Sequence, residues 1–377
     1  MLDRLPVELV QHVVRLTLPS PCHATYRERQ ATLLALCRTN RALRMVAQQA
    51  LFEVVELASR DQFDSLLEAV KAKELGGRVR VMLLDGEDVE DREGVSRTFE
   101  ARDLALLAPS CSHLVELKTH NVNVDLRWLQ DLSTLRRLVV SHGSLCAAQP
   151  FCLDTLEVFS LSCIQIADED SAIFNRPSFP SLRALHIQLA HPFDPEPSFG
   201  RLLSQLETFS CDAYDLATTF HLVIHQTAVP VLLDLSPNRV EEETELDMTQ
   251  TLAQATHVRL YAHAGRGAIS SLDMERAPAV ATEIARLLFF LAADILPSLS
   301  FLIIPQAPRD GAGQGSLAQL ACDTLLAECA ARGIEVIFEP SPHPHYDSIV
   351  SPLFWRRCKA LKAKEDEDEK QRGARQQ

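Results

Sequence analysis

The sequence has no excess of positive charge. It contains 37 Lys and Arg residues against 51 Asp and Glu residues, which gives the 377-residue chain a net charge of −14 at pH 7. Nucleic-acid binders usually carry basic patches that neutralise phosphates, so this charge argues against nucleic acid as a partner. Hydrophobic residues make up 46% of the chain, which is enough for a large globular core.

The ten cysteines include no CxxC pair. Disulfide frameworks and structural zinc sites use cysteines at recurring short spacings, so the spacing favours neither, and metal ligation is kept as a minor alternative. Cys37, Cys163 and Cys211 lie in apolar stretches, where a free thiol acts as a small hydrophobic group. We therefore expect a reducing compartment, cytoplasmic and/or nuclear.

The sequence also lacks a secretory signal and a long apolar run. Its first six residues do not have the basic start and apolar stretch of a signal peptide. The most apolar segment, Ala277 to Ile304, is interrupted by Glu283, Arg286 and Asp294, whereas a membrane span needs about 20 predominantly apolar residues. We expect a soluble protein without a membrane partner.

Residues 2–57 have the pattern of a compact helical domain. The first apolar series has spacings of three and four residues and consists of Leu5, Leu9, Val13 and Leu16. These spacings place the side chains on one face of a helix. A second apolar series predicts two more helices, followed by a short extended exit that ends at Val55.

Three segments of this domain together resemble the F-box motif. They are Leu5-Pro6-Val7-Glu8-Leu9, Leu36-Cys37-Arg38-Thr39-Asn40-Arg41 and Ala50-Leu51-Phe52-Glu53-Val54-Val55. F-box proteins are the substrate receptors of SCF-type cullin-RING ubiquitin ligases, and their motif docks on a Skp-type adaptor. The resemblance implies that this chain is a substrate-recognition subunit that reaches a cullin scaffold through the adaptor.

The resemblance also assigns adaptor contacts to particular positions. The matching positions are Leu5, Pro6, Leu9, Val13, Leu36, Cys37 and Leu43. Two features differ from the family pattern: Ala42 stands where many members have tryptophan, and the linker from Pro19 to about Gln30 is longer than usual. Both differences bear on the affinity for the adaptor.

Residues 58–110 have the pattern of a helical linker or N-terminal cap. An amphipathic helix is predicted from Asp61 to Glu74, where two glycines follow as a helix stop. A strand from Arg78 to Leu84 and an acidic loop from Asp85 to Glu93 precede a further helix around residues 102–107.

The 57 leucines of the chain become regular after residue 111. A motif of leucine, two residues, apolar residue, one residue and a further, usually apolar, residue recurs. Its instances are Leu114-Leu117-Thr119, Leu135-Leu138-Val140, Leu156-Phe159-Leu161, Leu182-Leu185-Ile187 and Leu206-Phe209-Cys211. Their starts are 21, 21, 26 and 24 residues apart, which is the period of a leucine-rich repeat. Weaker units follow near Val231, His257, Leu299 and Ile334.

The predicted fold class is α/β. Residues 2–57 would form a three-helix F-box-like domain, and residues 111–358 an irregular leucine-rich-repeat solenoid with a parallel strand face. Stacked repeats bury their leucines in a continuous core, and the strands line one side.

Side chains alternate along a strand, so the residues between the buried positions should point to an open side. The candidates for binding a target protein on that side are Glu116, Lys118, His120, Arg137, Ser160, His186, Gln188 and Asp212. Their charges are mixed, so they do not indicate the charge of the target.

A small helical domain cannot bury several apolar faces internally, so at least one face must meet another surface. If that surface is an adaptor, the chain is a receptor of a ubiquitin ligase. If it is the next domain of the same chain, the helices are a cap and the protein is a leucine-rich-repeat interaction scaffold without ubiquitin-ligase linkage. The first hypothesis predicts that an apolar face stays exposed.

Three further segments have simple interpretations. The acidic run from Glu241 to Asp247 is typical of a solvated loop or helix start. Residues 277–295 predict a strongly apolar helix that is buried or caps the repeats. Residues 359–377 are almost wholly charged and polar, which predicts a disordered tail.

No segment predicts catalysis. The glycines between Gly311 and Gly315 follow one predicted strand and precede a helix, but the third glycine of a dinucleotide-binding GxGxxG is replaced by Ser316. His343 and His345 without nearby cysteines make a poor zinc site. We therefore expect no cofactor, no metal and no catalytic residue in a protein that is not an enzyme.

Overall fold

A computed structural model describes most of the chain. The described residues are 6–19, 21, 23–73, 75–86, 103, 105–106, 111–147, 150–166, 173–191, 195–212, 215, 219–220, 231–235, 255, 257–260, 284–285, 287–305 and 317–339. Some predictions fall outside these ranges. They concern Leu5, the acidic run at 241–247, the glycines at 311–315, His343, His345 and the tail at 359–377.

The described residues form an α/β structure, as the sequence predicts. Its helices include α1 (Val7–Thr17), α2 (His23–Cys37), α3 (Arg41–Leu51), α4 (Arg60–Lys73), α5 (Pro197–Leu203) and α6 (Leu317–Arg332). Residues 284–285 and 287–292, within the predicted apolar helix, are also helical. Short 3-10 helices span Leu75–Arg78 and Leu126–Leu129. Within the described ranges, no helix has the length and apolar character needed to cross a membrane.

The strands run from the N-terminal third to the last described residues. They are β1 (Val54–Leu57), β2 (Val81–Asp85), β3 (Glu116–His120), β4 (Val124–Asp125), β5 (Arg137–Cys146), β6 (Val158–Ile166), β7 (Ala184–Leu189), β8 (Thr208–Asp212), β9 (Val231–Leu235), β10 (His257–Leu260), β11 (Phe301–Pro305) and β12 (Glu335–Glu339).

The chain divides into two compact units. Among the described residues, the first unit contains those up to Leu182 together with Leu189–His191, and the second contains Arg183–Gln188 and those from residue 195 onward. The first unit has the parallel strand order β1-β2-β3-β5-β6, with β4 beside β5. The second unit has the parallel order β7-β8-β9-β10-β11-β12. The predicted boundaries at residues 57, 110 and 358 stay predictions.

The three predicted N-terminal helices are present and share a core. Its buried members are Val10, Val14, Leu18, Leu33, Val46, Ala47 and Ala50. Helix α3 begins where Asn40 Oδ1 accepts a hydrogen bond from the Leu43 N–H at 2.8 Å. This side-chain cap replaces a backbone partner that the first turn of a helix lacks.

The predicted long linker between the first two helices is wrong in extent. Helix α2 begins at His23, so most of the segment from Pro19 to Gln30 is helical. This part of α2 has few apolar residues, and apolar periodicity therefore did not indicate it. Its Arg, Glu and Gln residues are good helix formers, which is why the segment can be helical without an apolar stripe.

The repeat motif places its apolar residues in the core, as predicted. All fifteen positions of the five strong instances are buried, and Leu117, Leu138 and Phe159 are at most 1% exposed. Strand pairing aligns equivalent positions, because Leu117 faces Leu138 and Leu138 faces Phe159. The spacing of 21 residues is thus the sequence distance from β3 to β5 and from β5 to β6.

Candidate protein-binding surfaces

Helix α1 keeps an apolar stripe exposed. Val10 and Val14 are 3% and 1% exposed and pack into the helical core. Leu9, Val13 and Leu16 are 51%, 47% and 73% exposed. The sequence predicted that these three share a face, and the structure shows that this face points away from the core. We call Leu9, Val13 and Leu16 the α1 stripe.

The other predicted adaptor contacts lie at the start of α1 and at the corner between α2 and α3. Pro6 is exposed. Leu36, Cys37 and Leu43 are partly buried and pack against the helical core, so they support the fold as well as bordering its surface. Thr39 closes the corner, because its Oγ1 donates to the Leu36 carbonyl at 2.8 Å.

Four exposed apolar residues of this region were not predicted. Val7, Leu34, Met45 and Phe52 are each between 41% and 52% exposed. Val7 is the first residue of α1, and Phe52 follows α3. Leu34 and Met45 are out of phase with the core, because Leu34 follows buried Leu33 and Met45 precedes buried Val46. That phase difference was the available signal in the sequence.

The predicted open side of the strands is largely covered. Lys118, His120, Ser160 and His186 are between 2% and 6% exposed, so the expectation of an open side is wrong for these four residues. Strand alternation fixes the direction of a side chain but does not determine what packs over it.

Three other predicted target contacts are less buried. Glu116 and Gln188 are half-buried, and the Arg137 side chain is 40% exposed. The side chain of Asp212 lies outside the described residues. Arg137 is thus the predicted target contact with the most accessible charge in the part of the chain that the structure describes.

The connection between α1 and α2 covers part of this side of the strands. The Lys118 ammonium donates to the Pro21 carbonyl at 2.6 Å, so the connection between α1 and α2 lies over strand β3. Lys118 Nζ also lies 3.4 Å from a Glu116 carboxylate oxygen. Burial lowers the pKa of Lys118, and the attraction of Glu116 opposes that shift.

Glu116 joins two of the predicted contacts. The same carboxylate oxygen lies 3.4 Å from Arg137 Nη1 and 3.4 Å from Lys118 Nζ. Glu116, Lys118 and Arg137 are therefore one charged cluster on neighbouring strands β3 and β5. In this cluster the Arg137 side chain is accessible. Lys118 is covered by the connection between α1 and α2, which we call the Pro21 segment.

A repeated left-handed turn directly follows β3 and interrupts β5 and β6 in the first unit. Asn121, His142 and Cys163 have positive φ angles of 52°, 51° and 54° and lie 21 residues apart. Non-glycine residues rarely adopt this conformation, so its recurrence at one repeat position indicates a shared turn. The His120 and His142 rings meet edge to face there, with centroids 5.0 Å apart. The 21-residue period was the only sequence signal for this turn.

The second unit contains a buried histidine and serine pair. His186 Nδ1 lies 3.0 Å from Ser210 Oγ on the neighbouring strand, and the two residues are 3% and 1% exposed. A hydroxyl beside an imidazole can act as a nucleophile only where a substrate can reach it. Burial of both groups makes this hydrogen bond a structural one.

Two observations concern metal ligands and thiols in the described residues. No cluster of three or more His, Cys, Asp or Glu residues among them is placed to hold a metal ion. Burial raises the pKa of Cys111 and of Cys329 to about 11, which disfavours the thiolate at neutral pH. Strand β11, helix α6 and strand β12 form the predicted strand, helix and strand, with β11 and β12 parallel.

Comparison with known proteins adds no assignment. No protein-family model matches the chain, and no curated protein matches it in sequence. The α1 stripe and the charged cluster of Glu116, Lys118 and Arg137 are therefore the features of the molecule that bear on its function.

Proposed function

We propose that this chain is the substrate-recognition subunit of an SCF-type cullin-RING ubiquitin ligase. Its helices α1 to α3 would bind a Skp-type adaptor, and its parallel strands would bind a target protein. The observation that carries the proposal is the α1 stripe, because Leu9, Val13 and Leu16 stay exposed while Val10 and Val14 fill the helical core.

The exposure of the α1 stripe has an energetic consequence. Full burial of a Leu or Val side chain contributes about 1.5 to 3 kcal/mol, and these three side chains are about half exposed or more. A partner that covers the α1 stripe would thus gain several kcal/mol, on the order of 3. Contiguous apolar residues on a surface are typical of protein interaction sites.

The proposed role requires no catalytic group in this chain. A receptor holds the target close to a separate ubiquitin-conjugating enzyme, which raises the effective concentration of the target lysine. Arg137 and the strand residues beside it are the proposed point of contact with the target. The ion pair with Glu116, in which Arg137 Nη1 lies 3.4 Å from a carboxylate oxygen, orients the Arg137 guanidinium.

The rival proposal is an interaction scaffold whose helices cap the repeats. A cap would bury its apolar face against the rest of the chain. The exposure of the α1 stripe favours the receptor proposal, since side chains with 47% to 73% exposure still have apolar area to offer a partner.

Co-elution of the intact chain with a Skp-type adaptor tests the proposal. We expect a complex at micromolar concentration, and we expect Leu9→Asp to weaken it at least about tenfold because a carboxylate would be buried in an apolar contact. Leu106→Asp is the matched control, since Leu106 is 52% exposed and Leu9 is 51% exposed. Failure of the native chain to co-elute, or equal behaviour of the two variants, would show that α1 is not an adaptor site.

A further inference from the structure

The N-terminal helices differ in charge from the rest of the chain. From residue 6 to residue 51 the sequence contains six arginines and two glutamates, a net charge of +4 in a chain whose total is −14. From Arg29 to Phe52 it contains no Asp or Glu at all. Positive charge is thus concentrated in the helices that also expose apolar side chains.

The arginines of α2 and α3 are placed beside exposed apolar residues. Arg41 and Met45 are four residues apart on α3 and therefore share a face. Arg38 directly follows α2, whose last turns contain the exposed Leu34. Arg38, Arg41 and Arg44 are exposed. We call Leu34, Arg38, Arg41, Arg44 and Met45 the basic face.

The basic face has charge that the described part of the chain does not neutralise. Neither Arg38 nor Arg41 forms an ion pair with any carboxylate in the described ranges. Arg44 donates through Nε to the Cys37 carbonyl at 2.9 Å, which uses one of its five N–H groups. The guanidinium groups of Arg38 and Arg41, and the remaining N–H groups of Arg44, can thus donate hydrogen bonds to carboxylates of a partner protein.

We propose that the basic face is the second half of the adaptor contact, and that the adaptor meets it with a cluster of Asp and Glu side chains. This inference rests on the proposed function and adds the chemistry of the partner surface to it. The α1 stripe supplies apolar burial, and the basic face supplies charge complementarity, which increases association rate and selects among partners.

The type of cation indicates a protein partner. The chain contains no lysine before Lys71, so every positive side chain of the three helices, histidine apart, is an arginine. Membrane surfaces attract lysine and arginine alike. Protein interfaces are instead enriched in Arg and depleted of Lys, Glu and Asp. The segment from Arg29 to Phe52 contains four Arg and no Lys, Glu or Asp. The planar guanidinium also pairs with a carboxylate through two parallel hydrogen bonds.

Charge reversal at Arg41 tests the inference. Arg41 is the first residue of α3, where a negative side chain interacts favourably with the helix dipole, so Arg41→Glu should not weaken the helix. Arg176→Glu is the control, because Arg176 is an exposed arginine of the first unit, remote in sequence from the helices. Equal thermal midpoints for the native chain and both variants would verify folding.

The measurement is the Kd of each full-length form for the Skp-type adaptor at about 0.05 M and 0.5 M NaCl. We expect Arg41→Glu to weaken binding about tenfold at the lower salt, and the difference to shrink at the higher salt, where charges are screened within about 3 to 5 Å. Arg176→Glu should bind like the native chain. Binding of all three forms with equal affinity, or without salt dependence, would overturn the inference and leave the α1 stripe as the adaptor site.

Two other outcomes distinguish a failure of this inference from a failure of the proposed function. If no form binds the adaptor at either salt concentration, the proposed function falls and the inference falls with it. If the native chain binds phosphatidylserine vesicles, Arg41→Glu abolishes that binding and adaptor affinity is unaffected, the basic face is a membrane contact and the inference is wrong.

Discussion

Lys118 shows how a single residue connects the helices with the strands. Its ammonium reaches the Pro21 carbonyl across 97 residues of sequence and contacts Glu116 on its own strand. The cost of removing this charge from water is offset only in part by these contacts, because burial still lowers its pKa.

The lowered pKa of Lys118 gives a pH dependence of stability with a definite sign. The folded protein loses the Lys118 proton at a lower pH than the unfolded chain, whose lysine has the ordinary value of 10.5. As the pH rises toward that value, the unfolded state binds more protons, so the free energy of unfolding rises. We expect the native chain to gain stability relative to Lys118→Met between pH 7 and pH 10, as measured by urea denaturation. A constant or falling difference would contradict the burial of a charged Lys118.

Single residues also show where sequence reasoning reached its limit. The spacing of Leu9, Val13 and Leu16 correctly placed them on one face, since that depends on local geometry alone. The burial of Lys118 depends on the path of the Pro21 segment, which no periodicity near residue 118 records. The sequence therefore predicted which side of β3 Lys118 occupies and failed to predict what covers it.

At the scale of elements, α3 depends on its first turn. Asn40 supplies a cap to the Leu43 N–H, and the first turn contains no acidic residue that would add a favourable interaction with the helix dipole. Helix α3 contributes Val46, Ala47 and Ala50 to the helical core. Loss of the cap should therefore lower the stability of the core.

Asn40→Ala tests this dependence. We expect a loss of about 1 kcal/mol in the free energy of unfolding, measured by urea denaturation, because the Leu43 N–H would lose its side-chain acceptor. Asn40→Asp is the matched control and should retain native stability, since aspartate caps as well as asparagine does. Equal stability of the alanine variant would mean that the cap contributes nothing to α3.

The elements were predicted to different degrees. Strands β3, β5 and β6 followed from the leucine period, because the positions that face the core of each strand are apolar and recur at that period. The first turns of α2 did not follow, since His23 to Gln30 have few apolar side chains and are helical by propensity. An element with little apolar burial leaves no periodic signal in the sequence.

On the scale of the whole molecule, apolar exposure and positive charge are found together on the N-terminal helices. Seven apolar side chains with at least 41% exposure belong to α1, α2, α3 and the turn that follows. The same helices carry a net charge of +4 from residue 6 to residue 51, against −14 for the chain. This segregation is the basis for assigning the helices to a partner and the strands to a target.

The heat capacity change on binding a Skp-type adaptor tests the central claim most directly. Burial of the α1 stripe in an interface of standard size, about 1,600 Å², predicts a change of about −0.2 kcal/mol/K. Titration calorimetry of the full chain at several temperatures would measure it. A negative value of this size that is reduced in Leu9→Asp is the predicted result. The absence of binding, or binding with no heat capacity change, would contradict the assignment of these helices to an adaptor.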